Sequence, residues 1–228
     1  MKFPKRLEQI DPNTVRLPPW HGRWEGDLQT SEFRRLAASV ACTGGNIQPV
    51  YVRPIVPTFY ELLDAPEDGA KFQLIFGRRR LLACRECGVP LFALVTRQWP
   101  AHEQFLAAFH ENLTTGSRLS AFEMGRMCYS ALELNVYRNQ RELAKGTGLT
   151  AAYVSAVVDL GSLSNDVIRM FHDPRRLRAR WAAQLNDVHC FDRERMEERF
   201  EQLRVSGRGL SMQQTYEWLV GLAREIAG

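Results

Sequence analysis

Residues 140–160 read Gln140-Arg141-Glu142-Leu143-Ala144-Lys145-Gly146-Thr147-Gly148-Leu149-Thr150-Ala151-Ala152-Tyr153-Val154-Ser155-Ala156-Val157-Val158-Asp159-Leu160. The spacing predicts two short helices at a sharp angle. Asn139–Lys145 forms the first, Gly148 permits the turn, and Thr150 caps a second helix over Thr150–Leu160. Ala144 is small where two helices must cross closely, and Val154, Val157 and Val158 pack the second helix back on the first. This is the pattern of a helix-turn-helix, whose second helix lies in the DNA major groove. An ordinary helical pair shares the spacing. The second helix has no Arg, Lys, Asn or Gln to pair with a base edge, and Asp159 repels phosphate. Base reading would then fall to other groups, such as Arg175, Arg176, Arg178 and Arg180, and affinity would be mainly electrostatic.

Around this pair the chain is helical. Ser120–Leu134 precedes it, with Phe122, Met127, Ala131 and Leu134 apolar, and Asn165–Phe171 follows. From Pro174 onward, RRLRARWAAQL and FDRERMEERFEQLR both fit amphipathic helices, the second with Arg and Glu at helical spacing. Gly207 and Gly209 break the chain before a last helix, Ser211–Ala227.

Before Gly116 strand signals appear. Ser31–Ala41 predicts a helix capped by Ser31 and striped by Phe33, Leu36, Ala37 and Val40. Pro49–Ile55, Phe72–Phe76 and Leu91–Thr96 predict strands. Phe59–Leu63 suits a short strand or helix, and Pro66–Gly69 a turn. Arg79–Cys87 and Ala101–Asn112 predict helices. The first thirty residues, rich in Pro, Trp and Gly, keep no period and read as an irregular arm. In that arm Trp20-His21-Gly22-Arg23-Trp24 interleaves aromatic and basic groups that can stack on bases, although packing of the tryptophans onto the domain is the simpler reading. The expected organisation is therefore an arm over 1–30, a small mixed α/β domain over 31–116, an all-α domain over 117–205 and a C-terminal helix over 206–228, for oligomerisation or as a tail. The fold class is α+β.

Composition sets the outer limits. The chain has 228 residues, 45% of them hydrophobic, enough for one or two globular domains. No apolar run approaches the roughly 18–20 residues of a membrane helix. The start, MKFPKRLEQIDPN, lacks the apolar core of a secretion signal, and five cysteines do not suggest a disulfide scaffold. We expect a cytoplasmic protein without a membrane partner. Thirty basic against 26 acidic residues give a net charge of +4, which permits an anionic partner without demanding one.

Two further segments carry chemistry. Phe72–Phe76 leads through Gly77-Arg78-Arg79-Arg80 into a helix. A strand-to-helix turn presents backbone N–H groups, and adjacent arginines add positive charge, a combination suited to phosphate. Neither GxxxxGK[ST] nor GxGxxG is present. At a helix end, Glu111 and Asn112 could hold a hydrated Mg²⁺ on a nucleotide. Cys84 and Cys87 form a lone C-x-x-C without a second pair, a poor zinc site. The histidines are scattered, and no nucleophile with its base stands out.

The order of these segments resembles that of the ParB family of partition proteins, especially plasmid and mobile-element members. It runs Gly45-Asn46-Ile47-Gln48-Pro49-Val50-Tyr51-Val52-Arg53, Gly77-Arg78-Arg79-Arg80, Glu111-Asn112-Leu113, Leu119-Ser120-Ala121-Phe122-Glu123, then the helix pair. The resemblance spans residues 30–172. It implies a ParB-N/sulfiredoxin-like first domain; Arg78 and Arg79 stand where sulfiredoxins carry a catalytic cysteine. It further implies CTP with Mg²⁺ as cofactors and a clamp on double-stranded DNA in partition. A homodimer, a ParA-like ATPase partner and association with nucleoid or plasmid would follow. By matched position, Gln48 and Pro49 would line the nucleotide pocket, and Gly77, Arg78, Arg79 and Arg80 would cradle phosphates. Glu111 and Asn112 would lie on the metal side. Arg138, Gln140, Arg141, Lys145, Thr150, Ala151, Tyr153 and Ser155 would face DNA. Thr115 replaces an arginine usual in the family, with Arg118 the nearest basic residue, which leaves CTP hydrolysis open. A transcriptional regulator on the same scaffold, and a nuclease or phosphotransferase of the superfamily, remain as alternatives.

Overall fold

The computed structural model describes residues 6–22, 24–55, 69–96, 99–114, 118–188 and 210–227. The chain divides into two compact units, one of residues 1–21 and 25–116, the other of residues 22–24 and 117–228.

The first unit is built on a five-stranded sheet of order β1-β5-β3-β4-β2. Its strands are β1 (Arg6–Ile10), β2 (Val15–Arg16), β3 (Val50–Pro54), β4 (Phe72–Phe76) and β5 (Leu91–Val95). β1 runs antiparallel to β5, β5 parallel to β3, β3 antiparallel to β4 and β4 parallel to β2. The irregular reading of the first thirty residues is thus corrected: residues 6–16 supply both edge strands. β1 hides only Ile10 well, so backbone pairing rather than apolar alternation makes it a strand. Arg85 ties this segment down, donating to the carbonyls of Pro12 and Val15.

Helices α1 (Ser31–Thr43) and α2 (Arg78–Cys87) bury Phe33, Ala37, Val40, Leu81 and Cys84 with Val50, Val52 and Leu74 of the sheet. Thr30, not Ser31, caps α1, its hydroxyl accepting from the Phe33 N–H at 3.2 Å. Gly44 ends α1 and Gly88 ends α2, both left-handed. Helix α3 (Ala101–Thr114) packs by β4 and buries Phe105 and Phe109. Arg53 bridges the buried Gln104 of α3 and Gln73 of β4. Trp20 is buried edge-on to Phe105, ring centroids 6.4 Å apart.

The second unit is helical: α4 (Ala121–Glu133), α5 (Gln140–Thr147), α6 (Ala151–Gly161), α7 (Asn165–Arg169), α8 (Ala182–Asp187) and α9 (Met212–Ala227). Ser120 and Glu123 form a reciprocal capping box at α4. Gly22 lies against the Glu123 carbonyl, where a Cβ would sit 2.1 Å away. Trp24 donates its backbone N–H to Glu123 and carries Arg175 over its ring at 5.1 Å. Residues 175–185 do not form the single amphipathic helix expected. Asp173 caps a 3-10 turn at Pro174–Arg176, a second follows at Ala179–Trp181, and only then does α8 begin. Leu177, Trp181 and Leu185 are buried all the same, so the apolar stripe is satisfied without continuous helix. Tyr216 of α9 stacks on Trp181 with centroids 4.6 Å apart, and Leu219 is fully buried, so this helix belongs to the unit's core. The short strand or helix expected at 59–63 and the helix expected at 191–204 lie outside the described residues.

Candidate nucleotide and nucleic-acid sites

Three segments distant in sequence meet at one guanidinium. Arg80, in the first turn of α2, donates to the carbonyl of Pro49 at 2.9 Å and to that of Gln48 at 3.3 Å. It also pairs with Glu111 Oε1 of α3 at 2.9 Å, both side chains being 18% exposed. A half-buried pair with further backbone bonds is held far more firmly than a surface pair. Arg80 is therefore a strut between the Gln48–Pro49 turn, α2 and α3.

The neighbouring groups suit an anion. Gly77 starts α2 at φ 103° without a side-chain cap, so the first-turn N–H groups keep no side-chain acceptor at the N-cap position. Glycine is required there on packing grounds as well, since a Cβ would fall 2.7 Å from Val50 Cγ1. Arg78 and Arg79 follow, both half-buried.

A cavity of about 260 Å³ opens beside Arg80, lined by Leu36, Val40, Thr43, Asn46, Ile47 and Gln48 among others. Pockets that enclose a whole small ligand run to roughly 300–1,000 Å³. This one is smaller, with Arg80 in its lining. The residues suit an anionic group such as a phosphate, and suit a metal less well. Glu111 turns to Arg80, while the Asn112 amide donates back to the Ala108 carbonyl at 2.8 Å. Neighbours on a helix project about 100° apart, and each of these two is already engaged within the fold. Thr115 lies outside the described residues.

Sequence reasoning missed Asn46 and the α1 wall. Asn46 is buried, and all its polar capacity is used. Its amide donates to the carbonyls of Gln48 and Phe92 at 2.8 and 2.9 Å, and its oxygen accepts from the Phe92 N–H at 2.8 Å. Cys84 Sγ also reaches that oxygen at 3.5 Å, and burial raises its thiol pKa. Asn46 fixes the turn that forms the cavity floor. Ser39 and Thr43, four apart on α1 beside the apolar stripe, were the available signal.

In the second unit, α5 and α6 meet through Leu143, Ala144, Val154 and Val157, all buried. Gly148 joins them at φ 75°, and the Thr150 hydroxyl accepts from the Tyr153 N–H at 3.2 Å. Arg138, Arg141, Lys145, Thr150, Ala151 and Tyr153 are exposed, whereas Gln140 and Ser155 are half-buried. The structure therefore places all eight candidate DNA residues around one helix pair.

No protein-family model matches the chain, and no curated protein matches it. Among solved structures it is similar to the C-terminally truncated chromosome-partitioning protein ParB from Caulobacter crescentus complexed with CTP-gamma-S. That similarity has 18% identity and a TM-score of 0.37, over 78% of this chain and 92% of that one. The same protein complexed to the centromeric parS site is similar at 18% identity and a TM-score of 0.42, over 96% and 99%. At this level neither gives a ligand or a partner to this chain.

Proposed function

We propose that the chain is a ParB-like DNA-binding protein, with a CTP site at the Gly77–Arg80 turn and a helix-turn-helix at Gln140–Gly161. The observation that carries this reading is the convergence on Arg80. Three motifs of the family order, at Gln48–Pro49, Gly77–Arg80 and Glu111, come to one place beside a cavity of part-nucleotide size. DNA is the partner that the exposed Arg138, Arg141 and Lys145 and the α5–α6 pair suit. Within this reading the protein works as a homodimeric clamp in plasmid or mobile-element partition, alongside a ParA-like ATPase. Mg²⁺ would enter with the nucleotide's own phosphates, with Glu111 already paired with Arg80.

Titration calorimetry of the full chain with CTP, ATP, GTP and UTP, with and without Mg²⁺, tests the first site. CTP should bind most tightly; equal heats for all four, or none, would overturn it. Fluorescence anisotropy with duplex DNA tests the second. Affinity should fall by about 0.9 log units per log unit of salt for each phosphate neutralised, and a salt-independent affinity would remove the electrostatic docking.

A specific observation favours a regulator without nucleotide turnover as the second reading. Glu111, a carboxylate beside the Arg turn, is already paired with Arg80. CTP binding without phosphate release would select it.

A further inference from the structure

We propose that the exposed face of α6 reads DNA through the 5-methyl groups of thymine, with Ala151 and Ala152 as the contact surface. This rests on the helix-turn-helix reading above and specifies what that helix recognises. Ala151, Ala152 and Tyr153 form the first turn of α6 and are all exposed, Tyr153 at 39%. Val154, Val157 and Val158 are buried and fix which side of the helix faces outward. In a groove-docked pair the N-terminal residues of the second helix meet the base edges.

That turn offers no hydrogen-bonding fork. The hydroxyl of Thr150 is held by its cap on the Tyr153 N–H. What remains at the tip is the two alanine methyl groups and Tyr153, whose ring carries one hydroxyl. In the major groove, the feature that the alanine methyls can distinguish is the thymine methyl. Small side chains also let the helix backbone sit deep, close to the floor of the groove. Charge agrees with the occupant, because exposed Arg138, Arg141 and Lys145 stand on the preceding loop and α5, the side that crosses the phosphate backbone.

The test uses the full chain and a random duplex pool of about 30 base pairs. Duplexes enriched by binding are resynthesised with deoxyuridine for thymidine, which removes the methyl and leaves the pairing intact. Enriched duplexes should carry thymine at fixed positions. Each contacted methyl lost should weaken binding about fourfold, the equivalent of burying one methylene. Ala152→Ser, at an exposed position, should fold normally and discriminate less between the two duplexes. Enrichment without fixed thymines, or equal affinity for thymidine and deoxyuridine duplexes, would overturn the inference while leaving DNA binding intact. Failure to bind any duplex in the pool would overturn the DNA-binding reading and this inference with it.

Discussion

Arg80 and Glu111 form an ion pair of 2.9 Å, and the same guanidinium holds the Pro49 carbonyl at 2.9 Å. Its neighbour Arg79 stands half-buried in the same first turn of α2. Substituting the two arginines one at a time separates the strut from the proposed phosphate contact. Arg80→Ala strips partners from a half-buried carboxylate and a carbonyl, and should cost roughly 1.5–3 kcal/mol of stability. Arg79→Ala should lower the melting temperature less and remove most CTP binding, since a charge-assisted phosphate contact is lost. Calorimetry and thermal melting on both variants check this. Full CTP affinity in a folded Arg79→Ala would displace the site from the Gly77 turn.

The sequence made visible what depends on local chemistry. The Gly77 turn, the helix starting at Ser120 and the turn at Gly148 follow from local residue types, and each lies where the spacing puts it. What stayed hidden depends on distant partners. β1 is a strand because β5 offers it a backbone edge, and nothing in Arg6–Ile10 announces that edge. The α1 cap fell one residue early because Thr30 and Ser31 are both good caps. Asn46 reads as an ordinary turn residue until Phe92, 46 positions away, accepts and donates to its side chain. Arg80 reads as one of three equal arginines until α3 supplies Glu111.

Gly125 of α4 and Gly161 of α6 touch backbone to backbone. A Cβ on Gly125 would lie 2.1 Å from the Val157 carbonyl, and one on Gly161 would lie 2.2 Å from Gly125. Neither obstacle is a side chain that can swing away. Gly125→Ala must push α6 off α4, a cost of roughly 1–3 kcal/mol for overpacking. Duplex affinity should fall with the displaced helix. CTP affinity should hold, because that site is built from first-unit residues. Parent-like melting and DNA binding in this variant would contradict the close crossing.

Cys128 and Tyr137 set an alkaline limit on the second unit. Burial pushes the Cys128 thiol from 9.0 up to about 12. Burial, with a smaller contribution from Cys128, pushes the Tyr137 hydroxyl from 10.0 up to about 12. Both groups are neutral in the fold and ionise more readily when it opens. Their contribution is complete below pH 9 and is lost as pH rises toward 12. Stability measured by urea unfolding should therefore decline steeply over that window. Cys128→Ala should be less stable than the parent at pH 7 because of the cavity left. The gap should narrow above pH 9, where only the parent still loses the thiol's share. A gap that is constant with pH would refute the assignment.

Asp159 tests whether α6 enters the groove at all. It follows Ala152 by seven positions, two helical turns along the same outer face, about 10 Å further from the tip. Its backbone carbonyl accepts from Ser162 Oγ and Asn186 Nδ2, both at 2.9 Å, so its place in the helix is firmly held. Among the described residues no ion pair engages its carboxylate, and neither Arg138 nor Arg141 reaches it. With the tip of α6 in the groove, this carboxylate lies near the groove wall. Like charges about 6–8 Å apart repel by roughly 2–3 kcal/mol at an effective dielectric near 20, before salt screening reduces it. Asp159→Asn keeps the shape and removes the charge. It should tighten binding to any duplex several-fold at low salt, and the gain should shrink as salt rises and the Debye length contracts to about 8–10 Å. CTP affinity and melting temperature should stay at the parent values, since no ion pair is lost. A carboxylate that never meets phosphate would give equal duplex affinity at every salt concentration, and that result would take α6 out of the groove and the thymine-reading surface with it.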